Sequence, residues 1–100
     1  MNITAVKLSI EGCRHIMNEP EEGEVPLHVI ATISGEMLPL LRFWATCENV
    51  EWDELLEFYD ELDERVAQVD GEPKLKLGVS NVIDASREVI ILKLYQRNNT

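Results

Sequence analysis

The sequence predicts an α+β domain spanning residues 1–100: one mostly antiparallel sheet of about five strands with a single amphipathic helix packed on one face, ordered β-β-β-α-β-β. Three observations predict it. Several runs alternate apolar and polar residues with a period of two. One stretch repeats apolar residues at three- and four-residue spacing. Glycine or proline punctuates most of the junctions between them.

Residues 3–10 set Val6, Leu8 and Ile10 against Ala5, Lys7 and Ser9, a strand with one buried face. From Gly12 to Val25 the chain is polar, with Glu19, Glu21, Glu22 and Glu24 around Pro20 and Gly23, which reads as an exposed acidic loop. Residues 27–34 alternate again, Ser34, Gly35 and Glu36 read as a tight turn, and 37–47 returns as the partner strand of a hairpin. Pro39 cannot donate to a ladder, so that end is an edge or a bulge. In the return strand Leu41, Phe43, Ala45 and Cys47 share one face, and Trp44 points from the other.

The strongest element is a helix over 50–69. Trp52, Leu55, Tyr59, Leu62, Val66 and Val69 make one apolar stripe, Asn49 is the expected N-cap, and acids crowd the first turn. Gly71, as a left-handed C-cap, and Pro73 end it. Leu75, Leu77 and Val79 then alternate with lysines as a fourth strand, 81–86 is a polar connection, 88–96 is a central strand, and 97–100 is a frayed tail.

The formal net charge is −10, from 19 acids and 9 bases. A charge of that sign repels nucleic acid and anionic membranes, and favours a basic protein partner. Cys13 and Cys47 form no disulfide framework. No apolar run reaches membrane-spanning length and no secretory signal is visible, so a cytoplasmic protein is expected. A zinc site at Cys13, His15 and Cys47 lacks the paired spacing that lets one element present two ligands. The isolated glycines form no phosphate loop and nothing resembles a nucleophile elbow, so neither enzyme activity nor a cofactor is expected.

Candidate binding residues come from charge. On the helix, Asp53, Glu57, Asp60, Glu61 and Glu64 lie opposite the apolar stripe. The i,i+4 pairs among them repel by about 0.2–0.5 kcal/mol each. A face that gives up local stability in this way reads as a docking surface, supplemented by Glu21, Glu22 and Glu24 of the loop. A merely solvated face is the competing reading. Trp44 on an open sheet face would be an interface anchor. Charge is also uneven: residues 1–72 hold 17 acids and 4 bases, whereas 73–100 hold 2 acids and 5 bases.

In order of elements alone, the chain resembles small bacterial immunity proteins and phage-encoded inhibitors. No motif carries that likeness; the expected function rests on the acidic helix face and the Glu-rich loop, which suit a basic surface of a nucleic-acid enzyme or toxin, and is a non-enzymatic inhibitor of counter-defence or toxin-immunity type that mimics nucleic-acid charge. The alternative is a homo-oligomeric assembly protein, a homodimer for example, that pairs through edge strands and the Trp44 sheet face.

Overall fold

Four stretches of the chain place residues alternately three and four positions apart. They are Val6, Ile10, Cys13 and Met17; Leu27, Ile30, Ser34, Met37, Leu41 and Trp44; Trp52, Leu55, Tyr59, Leu62, Val66 and Val69; and Val79, Ile83, Ser86 and Ile90. Each series is the inward edge of a helix, and nearly every member is buried. The computed structural model describes residues 4–98 and contains α1 (Ala5–Asn18), α2 (Pro26–Trp44), α3 (Trp52–Gln68) and α4 (Pro73–Asn98). No strand occurs among the described residues. The α+β expectation is therefore overturned, and the fold is a small four-helix bundle.

The correction has a local cause at each place. Residues 3–10 alternate, but Val6 and Ile10 also begin a helical seam, and the Thr4 hydroxyl caps α1 by accepting the Lys7 N–H at 3.2 Å. Residue 3 lies outside the described residues. The expected hairpin at 27–47 is the single helix α2. Its supposed turn at Ser34, Gly35 and Glu36 lies in mid-helix, where the buried Ser34 hydroxyl donates to the Ala31 carbonyl at 3.0 Å. Pro39 sits on the exposed side of α2, so the carbonyl whose helical bond it removes is left on the wet face.

The fourth strand, the polar connection and the central strand are one helix, α4. Glu72 caps it with both carboxylate oxygens, accepting the Lys74 and Leu75 N–H groups at 3.2 Å each. Ile83, in the expected connection, is fully buried. Arg97 and Asn98 end α4 rather than fray, and residues 99 and 100 lie outside the described residues.

The expected helix over 50–69 is α3, with two corrections at its ends. Asn49 is not the N-cap but adopts a left-handed φ of 59°, turning the chain into α3 after Glu51. Gly71 is needed for space and not for a left-handed backbone: a Cβ there would lie 2.3 Å from Leu27 Cδ2. Gly23, at φ 88°, is the glycine that does use left-handed freedom, in the acidic loop.

Short connections make α1/α2 and α3/α4 antiparallel hairpins, and α3 against α4 is the most extensive contact. Ion pairs from Lys7 to Glu54 and from Arg14 to Glu61 ascend together, so α1 and α3 are parallel neighbours. Lys93, whose ammonium donates to the Ala45 carbonyl at 3.0 Å, likewise ties α4 parallel to α2. The ring order is α1, α2, α4, α3. Helices α2 and α3 meet across the centre, and the backbones of α1 and α4 make no close approach among the described residues. The molecule is 19 Å thick, or two helix layers, and 45 Å long. Its length follows from the 26 residues of α4, about 39 Å of helix.

The glycines give a test of this packing. Gly12, Gly35 and Gly78 are helical and have nothing within 4 Å of an added Cβ. Alanine at each should stabilise the fold by roughly 0.5–1 kcal/mol in denaturant melts. Gly71→Ala should instead destabilise by about 1–3 kcal/mol, because buried Leu27 must move. A strand at 73–79 would reverse the expectation for Gly78.

Candidate protein interface

The acidic ridge of α3 is built by the same periodicity that builds its buried edge, and its charges have partners inside the chain. Toward α1, Glu54 pairs with Lys7 at 3.3 Å. Glu61 accepts two hydrogen bonds from Arg14, 3.0 Å from Nε and 2.5 Å from Nη2. These bonds, assisted by nearby carboxylates, raise the Arg14 pKa above its ordinary value. The guanidinium also lies 5.8 Å from the centroid of the Phe58 ring. Toward α4, Asp60 pairs with Arg87 at 2.8 Å and Asp53 with Arg97 at 3.1 Å. Of the five expected docking acids, Asp53, Asp60 and Glu61 are thus engaged in the fold. Glu57 and Glu64 face solvent and make no ion pair among the described residues.

The loop acids are placed differently. Glu21, Glu22 and Glu24 are all exposed in the connection between α1 and α2. That connection is ordered by its own contacts: the Glu21 N–H donates to Glu24 Oε1 at 2.7 Å, and the Glu24 N–H to the Glu21 carbonyl at 3.1 Å. Among the described residues none of the three has an ion-pair partner.

They stand at one end of a groove between α1 and α2, formed by two adjoining hollows of about 310 and 250 Å³. Ile16 and Glu36 line both hollows, Val25 lies toward the loop, and Leu8 and Leu40 close the far end. These aliphatic side chains are exposed, Leu8 by 63%. Cys13 lies in the wall, where burial and then Glu36 push its thiol pKa up. Both cysteines are free. Cys13 is half-buried and Cys47 is exposed.

Trp44 is not on an open face. It is 4% exposed, packed in the core at the end of α2, and the sheet face it was expected to occupy does not exist. Its neighbour Phe43 is the exposed aromatic instead. A second apolar surface lies on α4, where Val82, Val89, Ile91, Leu92 and Tyr95 are all exposed. Sequence reasoning missed both surfaces. The available signal was a surplus of apolar residues: Leu8 and Ile16 fall off the buried edge of α1, and Gly78, Val82, Ala85, Val89, Leu92 and Gln96 make a second three-four series on α4.

Among the described residues, no group of three or more His, Cys, Asp or Glu side chains is arranged to hold a metal ion, and no helix is long and apolar enough to cross a membrane. No protein-family model matches the chain, and neither the curated proteins nor the solved structures contain a significant match.

The most perturbed group is structural. Tyr59 is fully buried, its ring edge-on to Phe58 at 5.9 Å, and its hydroxyl makes no hydrogen bond of normal geometry. Burial pushes its pKa up to about 12, with the Ser86 hydroxyl pulling the other way.

Two predictions follow from these placements. Glu57→Lys should leave stability unchanged or slightly raised, because it removes i,i+4 repulsion. Glu61→Lys should cost about 1 kcal/mol in a melt, because a half-exposed but two-bonded pair with Arg14 is replaced by repulsion. Equal effects would mean that the Arg14–Glu61 clamp does not exist in solution.

The folded Tyr59 binds its proton more tightly than the unfolded chain does. Its contribution is therefore complete below pH about 10 and fades as pH rises toward about 12, by up to roughly 2–3 kcal/mol. Tyr59→Phe should be at least as stable at neutral pH and lose that part of the alkaline decline. An unchanged alkaline limb in the variant would assign the decline to other groups.

Proposed function

We propose that this chain is a non-catalytic binding protein that docks onto a basic protein surface and blocks it. Its contact edge is the acidic 19–25 loop together with the α1–α2 groove. The observation that carries this reading is the division of the acids. Four of the seven α3 acids are paired with Lys7, Arg14, Arg87 and Arg97, whereas among the described residues Glu21, Glu22, Glu24 and Glu36 have no ion-pair partner and border exposed aliphatic side chains. Unneutralised charge beside apolar surface is what a cationic, partly apolar partner fits. Basic surfaces of that kind belong chiefly to nucleic-acid enzymes and to toxins that act on nucleic acid. A net charge of −10 supports fast, steered association with them. Two unbridged thiols support a reducing, cytoplasmic setting.

A second reading, self-association, is favoured by α4. Antiparallel pairing of two copies along the outer series would set Gly78 against Gln96, Val82 against Leu92, and Ala85 against Val89. Each layer then joins a smaller side chain to a larger one.

One comparison separates the readings. Wild-type chain, a Glu21/Glu22/Glu24→Gln triple variant and Leu92→Lys are each used to capture proteins from the native host, with sedimentation run alongside. The expected result is a basic protein held by the wild type and by Leu92→Lys, lost from the triple variant, and released as salt rises. Capture that is indifferent to both salt and the loop acids would overturn the proposal. A wild-type dimer that Leu92→Lys dissociates, with no captured basic protein, would establish self-association instead.

A further inference from the structure

We infer that the α1–α2 groove takes an amphipathic cationic α-helix of about three to four turns. The inference rests on the proposed docking edge and specifies what that edge recognises.

Shape is the first argument. Helix α1 is 14 residues long, about 21 Å, and the groove follows it from Leu8 and Leu40 past Ile16 to Val25 at the loop. A helix laid along that length presents apolar residues at i, i+3 or i+4, and i+7 over a matching span. Gly12 lies between Leu8 and Ile16 with open space where a Cβ would stand, so an incoming side chain finds a notch midway along the wall.

Backbone chemistry is the second. The walls are two α-helices, whose mid-helix N–H and C=O groups are already bonded within each helix. An extended segment seated there would gain no backbone hydrogen bonds from the walls. A helix makes its own internally. The groove therefore discriminates against strands by what it does not offer.

Charge is the third. Glu24 and Glu36 line the groove, Glu21 and Glu22 flank its loop end, and among the described residues no lysine or arginine lines either hollow, His28 being the basic side chain there. A guest helix with an apolar stripe and basic flanks places its cations against these carboxylates, whereas an acidic amphipathic helix is repelled by them and by the whole chain. The exposed face of α4 has no comparable rim, with Asp84 and Glu88 as its outward acids.

The probe is a synthetic peptide of about 14 residues with leucines on one helical stripe and lysines elsewhere, compared with a scrambled isomer of the same composition that has no stripe. Binding to the full chain is followed by fluorescence anisotropy at about 0.15 M salt. The amphipathic peptide should bind at least roughly tenfold tighter than the scramble. Gly12→Leu, which fills the notch, should weaken it by roughly tenfold while leaving the melting transition intact. Ile16→Asn gives a second variant at an exposed position, should Gly12→Leu disturb the fold. Leu92→Lys should bind as the wild type does. Equal, salt-sensitive binding of both peptides overturns the helix inference but leaves the basic-partner reading standing, as does binding untouched by both groove variants. Binding of neither peptide, even at low salt, overturns both.

Discussion

Helix α3 is charged along both borders of its buried edge, and the arrangement of the bundle depends on meeting those charges. Glu54, Glu61 and Arg65 lie on the border toward α1 and are met by Lys7, Arg14 and Asn18, each exactly 47 residues earlier in the chain. A constant separation means that one rigid, parallel register satisfies all three contacts at once. On the opposite border Asp53 and Asp60 are met by Arg97 and Arg87, in descending order, as the antiparallel α3/α4 hairpin requires. Each pair is exposed enough to contribute little to stability on its own. Together they specify direction and register for a helix whose apolar edge would pack in several ways.

Between those borders the core is continuous. Phe58, Tyr59, Leu55 and Leu62 of α3 are fully buried, with Trp44 of α2 and Ile83 and Ile90 of α4 in the same cluster. Polar atoms enter it sparingly. The Ser34 and Ser86 hydroxyls turn back onto carbonyls of their own helices, Ala31 at 3.0 Å and Val82 at 2.9 Å, so neither needs a partner across the core. The Tyr59 hydroxyl is the exception, and it leaves a buried polar group whose ionisation the fold opposes.

The neutralisation of α3 also reshapes the surface field. Acids that a helical wheel presents as a single anionic face are divided among internal pairs, leaving Glu57 and Glu64 on the ridge. Four carboxylates without an ion pair among the described residues, Glu21, Glu22, Glu24 and Glu36, lie along or beside the α1–α2 groove, on the side of the molecule away from α4, where the C-terminal bases lie. The chain is therefore polar in the electrical sense, and its apolar surfaces differ in kind: one rimmed by acids, the other, along α4, with few charges on it.

By itself the sequence determined whatever depended on local signals. Its acidity, the Glu-rich end of its acidic loop around Gly23, the buried stripe of α3 and the stop before Pro73 were all legible, because each is decided by residues within a few positions of one another, whereas residues 12–18 of the expected loop are the second half of α1. The character of the other elements was not. Residues 27–44 and 73–98 are rich in β-branched and small residues, and short runs of them satisfy a period of two as readily as a helical one. The longer three-four series that separates the cases includes Ser34 and Ser86, which do not register as core residues until neighbouring helices cover them. The candidate interface was legible only in part, for a related reason. Charge could be counted along the chain, but whether a carboxylate is free or bonded depends on cations 27 to 47 residues away. Tertiary structure alone decided that Asp53, Glu54, Asp60 and Glu61 are spent on neighbouring helices while Glu21, Glu22 and Glu24 keep no ion pair among the described residues.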